Sequence, residues 1–203
     1  MPYPIEKKLV IAVSTSALFD MEESDSIYRV KGIDAYRKYQ ERIINYPLGK
    51  GVAFPFIKRI LNLNNSFPED KPIEVVIFSK NSPESGLRAF RSIAHYNLDI
   101  SRACFSSGKS NFQYLPAFNA SLFLSANPED TEKAISAGFA AGTVLDTKVI
   151  DDENDTQLRL GFDFDGVIAD DSSEQFYKEN KGNMSVYHHH ELELAPIHYQ
   201  KDR

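Results

Sequence analysis

Short apolar runs alternate along the chain with stretches whose apolar residues recur every three or four positions. Residues 9–13 (LVIAV), 73–78 (IEVVIF), 102–105 (RACF), 122–124 (LFL) and 143–145 (TVL) predict five strands. Tyr36, Tyr39, Ile43 and Ile44 share a helical spacing and predict a helix over 33–46, stopped by Pro47-Leu48-Gly49. A second helix is expected over 52–63, with Pro55 near its first turn. A third opens at Pro83 or Glu84 and sets Leu87, Phe90, Ile93 and Ala94 on one face. A fourth starts in the turn 125–130, where Pro128, Glu129 and Asp130 are residues that helix N-termini favour. The run 158–162 (LRLGF) predicts a further buried parallel strand, with a helix over 172–180. Strands alternating with helices imply crossover connections. The expected fold class is therefore α/β, with a Rossmann-like, mostly parallel sheet and helices on both faces.

Residues 146–157 are acidic and hold few apolar residues, with Asp151, Asp152, Glu153 and Asp155 supplying the charge. The reading is one α/β unit over 1–150, an acidic linker over 151–157, and a second unit starting at 158. A faint internal repeat accompanies it. Sliding the chain so that Leu9 falls on Leu158 also puts Ile11 on Leu160, Val13 on Phe162, Leu18 on Val167, Ser24 on Ser173 and Tyr28 on Tyr177. Ser14 and Ser16 then fall on Asp163 and Asp165. Duplication and shared strand-turn-helix patterning both account for these matches.

Composition narrows the classes. Apolar residues make up 42% and charged residues 26%, the balance of a soluble globular protein. No apolar run approaches the roughly 18 residues of a membrane helix. The polar, proline-containing stretch 1–8 lacks the pattern of a secretory signal. Cys104 is the single cysteine, which excludes an internal disulfide framework and fits a reducing cytoplasm. A net charge of −6 argues against a nucleic-acid backbone as partner. A small phosphate ligand needs only local positive charge.

Asp163 and Asp165 are the first candidates for chemistry. They follow the 158–162 run, at the carboxyl end of its predicted strand, where open α/β sheets place ligands. A carboxylate there can attack a phosphoryl group whose charge a metal neutralises, and a second can serve as acid and then base. The other reading is a solvated acidic turn. The apolar Gly166-Val167 that follow and the acidic Asp170, Asp171 and Glu174 favour the chemical one. Ser79 and Asn81, after the second strand, can hold phosphate oxygens, but are also ordinary turn residues. Lys109, in Gly108-Lys109-Ser110, invites a phosphate-loop reading, which fails because Ala103 stands where that loop needs glycine. It remains a candidate for offsetting phosphate charge. The stretch 125–130 reads as a helix cap before it reads as a metal site, although carboxylates suit Mg²⁺. His188, His189 and His190 are adjacent and lack the i, i+4 spacing of a helical metal site, so a solvated role is expected.

The stretch GFDFDGVIADDSSEQF resembles the first motif of the haloacid dehalogenase (HAD) superfamily. The chain as a whole resembles the cytosolic 5′-nucleotidase type I family. The stretches that carry the likeness are LVIAVSTSALFD, GIDAYRKYQ, GVAFPFIKRIL, VVIFSKNSPESGLRAFRSIAHYNLDI and YLPAFNASLFLSANPEDTEKAISAGFAAGTVL, followed by the aspartate motif. The resemblance implies a HAD-like fold and a Mg²⁺-dependent, cytoplasmic enzyme that removes the 5′-phosphate from nucleoside monophosphates such as AMP. Asp163 would be the nucleophile and Asp165 the acid/base. Mg²⁺ would be held by the Asp163 carboxylate and the Asp165 backbone carbonyl.

The resemblance also makes 1–150 a degenerate HAD-like unit, with Ser14 and Ser16 where a catalytic unit has aspartates. The segment after Asp165 reads as an incomplete catalytic half, because the expected Ser/Thr turn, lysine and acidic pair have no counterpart there. That lowers the activity expected of these 203 residues. Another arrangement has the first half lend Ser79, Lys109 and Glu129/Asp130 to Asp163. It requires the central place in the sheet that the first strand should occupy. Two further readings stay beside the nucleotidase: a non-catalytic nucleotide-sensing or dimerising half, and a phosphatase for another phosphomonoester. Self-association is left open.

Overall fold

The computed structural model describes residues 5–147, 150–163, 168 and 172–198. Two compact units divide at Leu158: Met1–Leu158 and Arg159–Arg203.

The first unit is built on one parallel sheet. Its strands are β1 (Leu9–Val13), β4 (Ile73–Ser79), β5 (Arg102–Phe105), β6 (Ala120–Ser125) and β7 (Ala141–Thr143). Their order across the sheet is β5-β4-β1-β6-β7, with every neighbouring pair parallel. β1 is central: Ile11 pairs with Val75 on one side and with Leu122 on the other. Strand alternation then sorts the side chains. Ile11, Val13, Val75 and Ile77 face one layer, with α3 (Phe54–Asn62) and α4 (Pro83–His95). Val10, Ala12, Val76, Phe78 and Phe123 face the other, with α5 (Pro128–Ser136). The expected sheet with helices on both faces is what the first unit forms.

Elements between β1 and β4 shape one end of the sheet. α1 (Thr15–Leu18) is a single turn directly after β1. A small antiparallel pair, β2 (Phe19–Asp20) and β3 (Gly49–Lys50), brackets an insertion. The insertion is α2 (Glu22–Arg42), which starts earlier than the helix expected over 33–46. Glu22, Glu23 and Asp25 stabilise its first turn through the helix dipole, and Gly32, at φ 75°, kinks it.

The acidic stretch 151–155 is coil anchored to the first unit. Arg59 donates from Nε to the Asp155 carbonyl (2.9 Å) and from Nη2 to Asp151 Oδ1 (2.7 Å) and the Asp152 carbonyl (3.1 Å). Lys50 pairs with Glu153 at 2.5 Å.

The strand expected over 158–162 does not form; those residues are coil. A parallel strand needs a neighbour for its N–H and C=O groups. No strand occurs among the described residues of the second unit, which hold α6 (Ser172–Glu179) and α7 (Met184–His198). Leu158 packs instead on the first unit's core, while Phe162 is 68% exposed.

Candidate functional site

Three serines end three adjacent strands of the first unit, and each turns its own chain. Ser14 follows β1 and caps α1: its Oγ accepts from the Ala17 N–H at 3.1 Å. Ser79 ends β4 and accepts from the Asn81 N–H at 3.1 Å. Ser125 ends β6 and accepts from the Asn127 N–H at 3.1 Å. All three side chains are buried. Serine suits each place because its short hydroxyl satisfies a backbone donor two or three residues on, which bends the chain out of the strand. The neighbours lock together: the Ser14 N–H donates to the Leu124 carbonyl at 2.8 Å, and Ser14 Oγ lies 3.2 Å from Ser16 Oγ.

The turns leave a cleft of about 160 Å³ at the carboxyl edge of β1, β4 and β6. Ser14, Thr15 and Ser16 line it after β1, and Ser79, Lys80 and Asn81 after β4. Asn127 and Asp130 come from the start of α5, Met21 and Asp25 from the start of α2, and Asn111 from the loop before β6. Phe78 and Phe123 border it and are themselves buried. This is the place open α/β sheets use for ligands.

The charged groups are few and mixed in sign. Lys80 Nζ is paired with Asp130 Oδ1. Burial raises the Asp25 carboxyl above its usual range; Arg29 opposes that shift and Asp20 adds to it. Thr15 is 3% exposed, and its Oγ1 is buried without a hydrogen-bond partner. Among the described residues no histidine lines the cleft, and positions 14 and 16 carry serine hydroxyls. The arrangement can hold a hydrogen-bonding ligand.

Of the residues singled out in the sequence, Ser79 and Asn81 meet in this cleft. Lys109 does not line it; it is exposed in the loop 106–110, and Lys80 supplies the ammonium. Position beside Ser79 was the available signal for Lys80. Glu129 pairs with Lys133 at 2.5 Å, a helix-surface contact, and Asn127 Oδ1 caps the helix by accepting from the Glu129 N–H. The stretch 125–130 thus acts as the cap it was read to be, with Asp130 turned to Lys80.

Asp163 is exposed in coil of the second unit. Asp165, with Asp170 and Asp171, lies outside the described residues, as does the Glu174 side chain. The central place in the first unit's sheet, which a shared site with Asp163 would require, is filled by β1. His190 stacks on Phe176 with ring centroids 3.8 Å apart, and His189 Nε2 lies 3.2 Å from Glu193 Oε1. Among the described residues, no three His, Cys, Asp or Glu side chains are placed to share a metal ion.

Comparison with known proteins bears on the whole chain. Human cytosolic 5′-nucleotidase 1B is 35% identical over 186 residues, which cover 88% of this chain and 30% of that protein. The chain therefore spans about a third of the length of that relative. No solved structure matches. The sequence profile described as 5′-nucleotidase matches residues 1–201, through both the serine-lined sheet and the aspartate motif. The chain belongs to the 5′-nucleotidase family.

Proposed function

We propose that the protein hydrolyses nucleoside 5′-monophosphates, AMP among them, to a nucleoside and phosphate, with Asp163 as nucleophile. The observation that carries this reading is the family match, which runs through the Asp163 motif as well as the first unit. In the proposed reaction an Asp163 carboxylate oxygen bonds to phosphorus as the bond from phosphorus to the 5′-oxygen breaks. Asp165 gives its proton to that oxygen, freeing the nucleoside. Water then attacks the aspartyl phosphate while Asp165 takes its proton, releasing phosphate and restoring Asp163.

Mg²⁺ favours hard carboxylate, carbonyl and phosphoryl oxygens, and the Asp163 carboxylate and the Asp165 backbone carbonyl are its proposed ligands. Bound there, the cation would offset the charge of the phosphoryl oxygens. A cytoplasmic location belongs to the same reading, in line with the lone Cys104 and the cytosolic relative. None of the described helices is long and apolar enough to cross a membrane.

Phosphate release from AMP, other nucleoside monophosphates and sugar phosphates tests the reading. Nucleotides should be the better substrates, Asp163→Asn should abolish turnover, and Asp165→Asn should lower it by about 10²–10⁴-fold. Full turnover by Asp163→Asn would overturn the assignment. A preference for sugar phosphates would overturn the substrate class.

A further inference from the structure

We infer that the serine-lined cleft of the first unit binds the pentose of a neutral nucleoside, not a phosphomonoester. The charges decide against the phosphate. Asp25 and Asp130 both line the cleft, and its one ammonium, Lys80, is already committed to Asp130. A phosphate dianion would meet two carboxylates with no uncommitted cation among the lining groups, and like charges at such separations repel strongly away from bulk water. A free divalent cation is disfavoured in turn, because Lys80 neutralises one of the two carboxylates.

The remaining lining suits a ring bearing hydroxyls. Hydroxyl and amide groups approach from three strand ends, each able to donate and accept. Thr15, which lines the cleft, keeps its Oγ1 buried without a hydrogen-bond partner. Size agrees as well. At about 160 Å³ the cleft is smaller than the roughly 300 Å³ at which pockets begin to enclose drug-sized ligands, so it takes a ring and leaves the base towards the mouth. The choice of a nucleoside among pentosides rests on the proposed hydrolysis, of which a nucleoside is the product.

Calorimetric titration of the whole chain with adenosine, AMP, ribose and inorganic phosphate tests the inference. Adenosine should bind at one site. Ser16→Leu, which fills the mouth from an exposed position, should weaken it by about tenfold or more. Asn81→Ala, on the opposite wall, should weaken it too and serves if Ser16→Leu does not fold. The inference is overturned if adenosine does not bind, if its binding ignores both cleft variants, or if AMP or phosphate binds more tightly in a manner Ser16→Leu removes. Phosphate release is read separately. A chain that binds adenosine without releasing phosphate keeps the cleft and loses the hydrolase, and the reverse result does the opposite.

Discussion

Gly51 occupies a place with no room for a side chain. A Cβ there would stand 2.6 Å from the Ala17 carbonyl oxygen and 2.7 Å from the Phe19 nitrogen, both backbone atoms that cannot rotate away. The close approach lets the Gly51 N–H donate to the Leu18 carbonyl and the Ala53 N–H to the Ala17 carbonyl, both at 2.9 Å. Those bonds hold the single turn that presents Thr15 and Ser16 to the cleft. Gly51→Ala should cost about 1–3 kcal/mol, as overpacking does, read as a lower urea midpoint. Tyr36 gives a second test through pH. Burial is the main cause that raises its phenol above the ordinary value of 10.0, while its hydrogen bond with Ser85 works the other way. The folded state therefore keeps the proton at a pH where the unfolded chain loses it. The stabilisation is complete below pH 10.0 and is lost as pH rises above it. Urea midpoints should fall above that pH, and less steeply in Tyr36→Phe.

At the scale of elements, two runs with similar sequence signals have different fates. Residues 9–13 form a strand with the expected bounds because 73–79 and 120–125 lie on either side to take their hydrogen bonds. Residues 158–162 carry a comparable apolar pattern and remain coil. A run of apolar residues states what a segment would bury, not whether partners exist, so strands were legible only where the sheet could be completed. Helix starts were easier to read: Pro83, and Asn127 with Pro128, mark α4 and α5 through local capping chemistry. What composition did not show is that the acidic stretch is tied down, because the ties are two distant side chains, Arg59 and Lys50. Arg59→Ala should speed amide hydrogen exchange over 151–158 while leaving β1 and β4 protected. High salt should reproduce only part of that effect. It screens the half-exposed Asp151 pair, but not the bonds to the Asp152 and Asp155 carbonyls.

Across the whole molecule, the two units differ in what they bury. The first encloses Phe78 and Phe123 in one layer and Phe19 and Ile57 in the other, all at most 1% exposed. Among the side chains described from 159 to 193 none is buried, and Leu160, Phe162 and Leu192 are each more than half exposed. The same contrast explains what was legible of the candidate site. Ser79 and Asn81 could be named because a strand end is a local feature. Asp25 and Asn111 could not be placed beside them, because they converge from separate elements that only the assembled sheet brings together. Stability should follow the buried layers. Phe123→Ala removes a fully enclosed ring and should cost about 3–5 kcal/mol. Phe162→Ser removes an exposed one and should leave the melting midpoint nearly unchanged. Exposed apolar groups of this kind attract hydrophobic dyes. Phe162→Ser should therefore lower native-state dye fluorescence at constant midpoint, whereas Phe123→Ala should lower the midpoint. A large loss of midpoint in Phe162→Ser would mean that Phe162 is packed, contrary to the exposure described.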